Sequence, residues 1–173
     1  MTDKELEYHT YIMEHIANVK TAYELLKDPL ISTEIGINVG MYSDMTVRIL
    51  KHDMSKYEKI EFDGYRQYFY PEPGEEKNKA LFDVAWKHHY TVNDHHPEHY
   101  YTKDGERARE MPIKAVCEML CDWLAMSIKF HSSPVRWYEK HQKETPFIFH
   151  PNTEALIDEY LPIVDDTYFN YIR

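Results

Sequence analysis

The chain has 173 residues, enough for one domain of ordinary size to bury a core without disulfides. Its net charge of -10 argues against a nucleic-acid polymer or an anionic membrane as the main partner, because both require clustered Lys and Arg. It carries neither an N-terminal apolar run flanked by basic residues nor an apolar stretch near the roughly 20 residues that span a bilayer, so a soluble, cytoplasmic protein is expected.

From Lys4 to Lys27 the residues Leu6, Ile12, Met13, Ile16, Val19, Ala22, Tyr23 and Leu26 recur at threes and fours. This spacing predicts a long amphipathic helix capped by Thr2 and Asp3 and ended by Asp28-Pro29. His15 lies beside the stripe, and on spacing alone it reads as a hydrogen-bonded core histidine sooner than as a ligand. Ile31 to Tyr42 has no clean period and is compatible with a weaker helix or an irregular connection. Asp44 to Asp53 reads as a short helix capped by Asp44, with Met45, Ile49 and His52 toward one face. It delivers His52 and Asp53 side by side. A new helix is expected from Ser55 as N-cap, with Glu58 at the capping-box position, running to Tyr70 despite Gly64. Pro71 to Glu75 breaks the pattern, and Lys77 to Tyr90 resumes it with Leu81, Phe82, Ala85 and Trp86 as its apolar side.

The next stretch is the one that folding alone explains least. Ala85 to His99 holds five of the eleven histidines. His89 and Asn93 are four apart on the helix, and Asp94 and Pro97 bracket His95-His96 in a turn. His96 to Glu110 is polar and aromatic, with a Lys103-Asp104-Gly105 turn that suits a short hairpin or a flap. Its Tyr100, Tyr101 and Lys103, with Asn93, are candidates for contacting a substrate. Met111-Pro112 then opens a strong helix with Val116, Met119, Leu120, Trp123, Leu124 and Ile128 as its core stripe. Asp122 sits within that stripe, and Glu118 lies four residues earlier on the same face. A carboxylate there is costly to bury unless paired or metal-bound. Cys117 and Cys121 read as small buried residues in a reducing compartment sooner than as a disulfide or zinc pair. A short helix to Gln142, a Pro-punctuated loop and a last helix over Thr153 to Tyr160 complete an all-α fold, a compact helical bundle with one loop-rich side, spanning residues 1–173 as a single domain.

Four separate segments thus offer metal-binding side chains: His15, His52-Asp53, His89 with His95-His96, and Asp122. Ligands spread over several helices are how bundle-type metal sites are built. The order H...HD...H...HH...D, with HDMSK where many members have HD-x-GK, resembles the HD-domain superfamily of metal-dependent phosphohydrolases. The H-x-x-x-N-x-H-H pattern, the Met-Pro opening and the EMxxDW segment are similar to an HD-like catalytic group of bacterial and phage proteins. The resemblance covers His15 to Trp123. It implies an HD-type helical fold in which His15, His52, Asp53 and Asp122 hold a first divalent ion, Asp53 bridging to a second held by His89, His95 and His96. Ser55 in place of the usual glycine is a departure, and Lys56 stays aligned. His88 competes with His89 for the ligand position, with the Asn93 spacing favouring His89.

Imidazole and carboxylate donors suit Mn, Fe, Co, Ni or Zn better than Mg or Ca. The activity expected from the resemblance is hydrolysis of a small phosphorylated substrate, a nucleotide by preference, with Asp53, Lys56 and Glu118 as the catalytic set. Lys56 would stabilise phosphoryl charge, and Glu118 would orient a ligand or accept a proton. A diiron oxygenase and a ligand-binding protein that retains the fold are the alternatives, and a homo-oligomer is compatible with any of them. His9, His99, His131, His141 and His150 match no ligand position.

Overall fold

A computed structural model describes residues 1–31 and 39–173. These form seven α-helices: α1 (Asp3–Ile31), α2 (Val39–Lys51), α3 (Lys59–Phe69), α4 (Lys79–Val92), α5 (Ile113–Phe130), α6 (Pro134–Glu144) and α7 (Pro151–Tyr171). Two 3-10 turns, Met54–Tyr57 and Pro97–Tyr100, interrupt them. No strand occurs among the described residues, and the one antiparallel bridge, Tyr101 to Ala108, closes the Gly105 turn. The fold is the expected all-α bundle. No described helix is long and apolar enough to cross a membrane.

The helix α1 buries Tyr8, Ile12, His15, Ile16, Val19, Ala22, Tyr23, Leu26 and Leu30 along one face. Leu6 and Met13, expected on that stripe, are about half exposed, and Tyr8 takes the inward position. The helix also runs past Pro29 to Ile31. A proline in the last turn removes only one donor, and continuing the helix lets Leu30 bury one turn beyond Leu26. Pro162, itself exposed, lies in the interior of α7, and the helix continues past it to Tyr171, eleven residues beyond the expected end at Tyr160. Its buried side chains continue as Tyr160, Leu161, Val164 and Tyr168.

The expectation for Ile31 to Tyr42 lies outside the described residues for positions 32–38; from Val39 the chain is helical, so Asp44 falls inside α2 and pairs with Lys114 instead of capping. Ser55 does not cap a helix. A 3-10 turn takes Met54–Tyr57, and α3 starts one residue after Glu58. The helix α4 starts two residues later than expected, where the Asn78 side chain accepts the Leu81 N–H, and ends at Val92. Pro112 precedes α5 directly, and Ser133 caps α6. Both cysteines are buried and free.

Two apolar clusters result. The larger joins Val19 to Leu30 of α1 with α5, α7 and the buried side of α2, while the smaller joins Tyr8, Ile12 and Ile16 with Tyr65 of α3 and Ala85 of α4. His15 sits on α1 where one cluster gives way to the other. α3 and α4 form an antiparallel pair in which Gly64 permits close approach: a Cβ there would lie 2.6 Å from the Ala85 Cβ and 2.8 Å from the Leu81 carbonyl oxygen. The last 40 residues, which carry α6 and α7, close the bundle over α5.

Candidate metal centre

Asp53 follows the end of α2 in a left-handed conformation, φ 56 and ψ 16. Such a backbone is uncommon outside glycine and carries strain that packing must offset. Here it turns a fully buried carboxylate into the seam between the two clusters. The two oxygens face different histidines. Oδ2 lies 3.1 Å from His15 Nε2 and 3.6 Å from His52 Nε2, while Oδ1 lies 3.3 Å from His89 Nε2 and 3.5 Å from His95 Nε2. His15 and His52 also face each other, Nε2 to Nε2, at 3.3 Å, and Asp122 Oδ1 is 3.4 Å from His15 Nε2.

The far side of these rings is held by two other buried carboxylates. Glu118 on α5 accepts from His52 Nδ1 at 2.9 Å and lies 3.4 Å from His95 Nδ1. Glu61 on α3 accepts from His89 Nδ1 at 2.8 Å and His88 Nδ1 at 2.6 Å. A carboxylate on Nδ1 fixes that nitrogen as the protonated one and leaves the Nε2 lone pair pointing inward. Lone pairs facing the oxygens of Asp53 at these distances repel unless a cation or an extra proton lies between them. Burial opposes that protonation, yet Asp53, Glu118 and Asp122 together push His52 up to about 9. Asp53 shows the converse: burial would raise it, but His52, Lys56 and His89 hold it well below the usual carboxylate range. His96, buried beside His95 and His89, is pushed well below the ordinary imidazole value.

Whether these residues fit a metal is answered by their orphaned atoms. Asp53 Oδ1, His95 Nε2, His96 Nε2 and Asp122 Oδ1 are buried with no hydrogen-bond partner, which is costly unless something binds them. Three overlapping groups bring one donor atom per residue within 4.8 Å of one another: Asp53 with His89, His95 and His96; His15 with His52 and Asp53; and His52 with His95 and Asp122. These buried His and Asp groups can hold a metal ion. All seven residues singled out as ligands come together. His89 is the member of the pair that joins the group, whereas His88 is half buried and turned to Glu61 and Glu58.

The chain around the centre is tied to it. Arg48 Nε donates to Glu118 at 2.8 Å, and the same guanidinium pairs with Asp94, bracing the turn that carries His95. Ser55 Oγ donates to Glu61 at 3.1 Å and accepts from Asn93 Nδ2 at 2.7 Å, so the residue that departs from glycine links α3 to the end of α4. Asn93 is therefore a structural tie. Lys56 Nζ lies 2.7 Å from Asp53 Oδ2.

A chamber of about 660 Å³ opens on this centre, with Lys56 as the only lysine or arginine among its lining residues and Tyr8, Tyr65, Phe82 and Trp86 among its walls. The Tyr8 and Tyr65 hydroxyls are buried without partners, and burial, reinforced by nearby carboxylates including Asp53, pushes both phenols upward. Tyr100, Tyr101 and Lys103, expected at the substrate wall, do not line this chamber. Tyr100 is buried in the larger core, the Tyr101 hydroxyl accepts the Ile148 N–H at 3.2 Å, and Lys103 is exposed at the turn. The 3-10 turn after His96 carries these rings toward α7 and leaves only Pro97 and Glu98 of this segment against a cavity.

Glu61, Arg48, Tyr8 and Tyr65 were not anticipated. Glu61 had a signal: it stands one turn before Tyr65 on an aromatic face, the same feature that marked Asp122. Arg48 had none, since its partners lie 46 and 70 residues away.

A family model described as a family of unknown function (DUF5662) matches residues 4–163, so the chain belongs to that family. No curated protein and no solved structure matches it.

Proposed function

We propose that this member of the DUF5662 family is a metal-dependent phosphohydrolase acting on a small phosphate monoester, with a nucleotide as the favoured class. The observation that carries the reading is Asp53, whose two oxygens face separate imidazole sets while Lys56 stands beside one of them at the chamber floor. The ordered motif that resembles HD-domain phosphohydrolases adds to it. His15, His52, Asp53 and Asp122 would hold one ion, and Asp53, His89, His95 and His96 another, with Mn, Fe, Co, Ni or Zn suited to the donors. Such an ion supplies Lewis acidity and makes hydroxide accessible from water at neutral pH.

The chain's own residues do the rest. A water oxygen bonds to phosphorus as the ester P–O bond breaks, and one proton of that water passes to the departing oxygen while the other stays on the phosphate, giving an alcohol and inorganic phosphate. Lys56 stabilises the negative charge that spreads over the phosphoryl oxygens. Tyr8 and Tyr65, kept protonated by burial, donate to the same oxygens. Glu118 is committed to His52, His95 and Arg48, which makes it a positioning residue and not the proton acceptor. The aromatic walls exclude water from the phosphoryl group.

The test is metal analysis of protein purified without chelators, followed by a phosphate-release screen over nucleoside monophosphates and simple phosphomonoesters with each metal. Phosphate release that needs the metal and Asp53 is expected; no release from any ester with any metal overturns the reading. One observation favours a second reading: with Lys56 as the only lysine or arginine in its lining, the chamber also suits an uncharged substrate of a diiron oxygenase. Two irons per chain and oxygen consumption without phosphate release would select it.

A further inference from the structure

A second chamber of about 420 Å³ adjoins the first and shares Trp86, His96, Asp122, Met126 and Phe130 with it. Its size is within the roughly 300–1,000 Å³ of small-molecule sites. We propose that it is a nucleobase pocket, in which tryptophan rings stack on the base and Glu98 and His141 bind its polar edge. The inference rests on the nucleotide reading above and names where the substrate's base sits.

Three features lead to it. All three tryptophans of the chain, Trp86, Trp123 and Trp137, line this chamber, together with Phe147. Planar aromatic surface of this kind binds bases of any sequence by stacking. Among these rings stand two polar side chains with unmet demands: Glu98 Oε2 and His141 Nδ1 are both buried without a hydrogen-bond partner. A purely apolar occupant would leave both unsatisfied, whereas a base offers donors and acceptors in one plane. A carboxylate oxygen accepts from the exocyclic amine of adenine, cytosine or guanine, and the imidazole serves a neighbouring edge atom.

The division of polar groups between the chambers fixes the orientation. In the first chamber Lys56 and the free Tyr8 and Tyr65 hydroxyls gather near Asp53, where a phosphoryl group belongs. The shared residues His96, Asp122 and Met126 form the boundary that the sugar would cross. Phosphate and base then occupy separate compartments on the two sides of the centre.

Every tryptophan lines the second chamber, and Trp123 and Trp137 line it without lining the first, so intrinsic fluorescence reports on its occupancy. The full chain is titrated with adenosine, cytidine, guanosine and uridine, with correction for base absorbance and with inorganic phosphate as the control. Saturable quenching by at least one amino-bearing nucleoside is expected, with none from phosphate, and Glu98→Gln and His141→Phe should each weaken it ten-fold or more. His141→Phe retains the ring stacked at 4.0 Å on Phe147 and removes only the polar nitrogens, so it serves if the Glu98 variant does not fold. Absence of saturable quenching with every nucleoside, or quenching that survives both substitutions, overturns the pocket. The nucleosides carry no phosphate, so binding without phosphate release brings down the hydrolase reading alone, and phosphate release without nucleoside binding brings down the pocket alone.

Discussion

Asp53 is shared by two of the three donor groups, because its two oxygens face different histidines. Its oxygens lie between His15 and His52 on one side and His89 and His95 on the other. Asp53→Ala should lose bound metal and activity while keeping the helical circular-dichroism signal, because the two apolar clusters do not include it; full metal stoichiometry in that variant would refute the assignment. By contrast, alanine at His9, His99, His131, His141 or His150 should leave metal content unchanged. Lys56→Met should keep metal and lower kcat by roughly 30-fold to 1000-fold, the ~2 to 4 kcal/mol typical of a lost charge-assisted contact to the transition state. A wild-type rate in steady-state kinetics would remove Lys56 from the chemistry. Glu61→Gln keeps size but replaces one accepting oxygen with a donor against the Nδ1–H groups of His88 and His89. Metal affinity, measured by competition with a chelator, should fall about 10-fold to 100-fold, as is usual when the group behind a histidine ligand is changed.

At the scale of elements, the centre depends on how closely α3 approaches α4. Glu61 can reach His88 and His89 only because Gly64, one turn further along α3, lets the helices nearly touch at Leu81 and Ala85. In Gly64→Ala the new methyl meets backbone and a Cβ, neither of which can swing away. The pair must separate, at a cost of about 1 to 3 kcal/mol. Urea denaturation should show that loss, and metal affinity should drop with it although no donor atom has been touched. A variant as stable and as tight-binding as the parent would show that the helix pair does not set the position of Glu61.

For the whole molecule, several buried polar atoms without hydrogen-bond partners face one another at the junction of the two cores, so metal should contribute to stability and not only to activity. A ligand that binds only the folded chain adds roughly 2.7 kcal/mol at one hundred times its Kd. Adding Mn, Fe, Co, Ni or Zn to chelator-stripped protein should therefore raise Tm, and Asp53→Ala should abolish the rise. If Tm were the same with and without metal in the unmodified chain, the donor groups would not be a binding site.

The sequence by itself determined the all-α class, most helix positions, the burial of α1 and α5, and the seven side chains that converge. Periodicity shows which face of a helix is apolar, and histidines or a carboxylate beside such a face are visible without coordinates. Helix ends were less legible, because Pro29 and Pro162 read as stops while tertiary burial of Leu30 and of Val164 and Tyr168 carried both helices onward. The Asn93 spacing already favoured His89 over His88 and Glu118 already stood as a ligand-orienting carboxylate, but only the tertiary structure decided which rings Glu118 holds, the second carboxylate Glu61 behind them, the bracing by Arg48, and the separation of Tyr100, Tyr101 and Lys103 from the chambers. Each of these depends on contacts between segments far apart in the chain, and local spacing carries no record of which distant side chain will meet a given nitrogen.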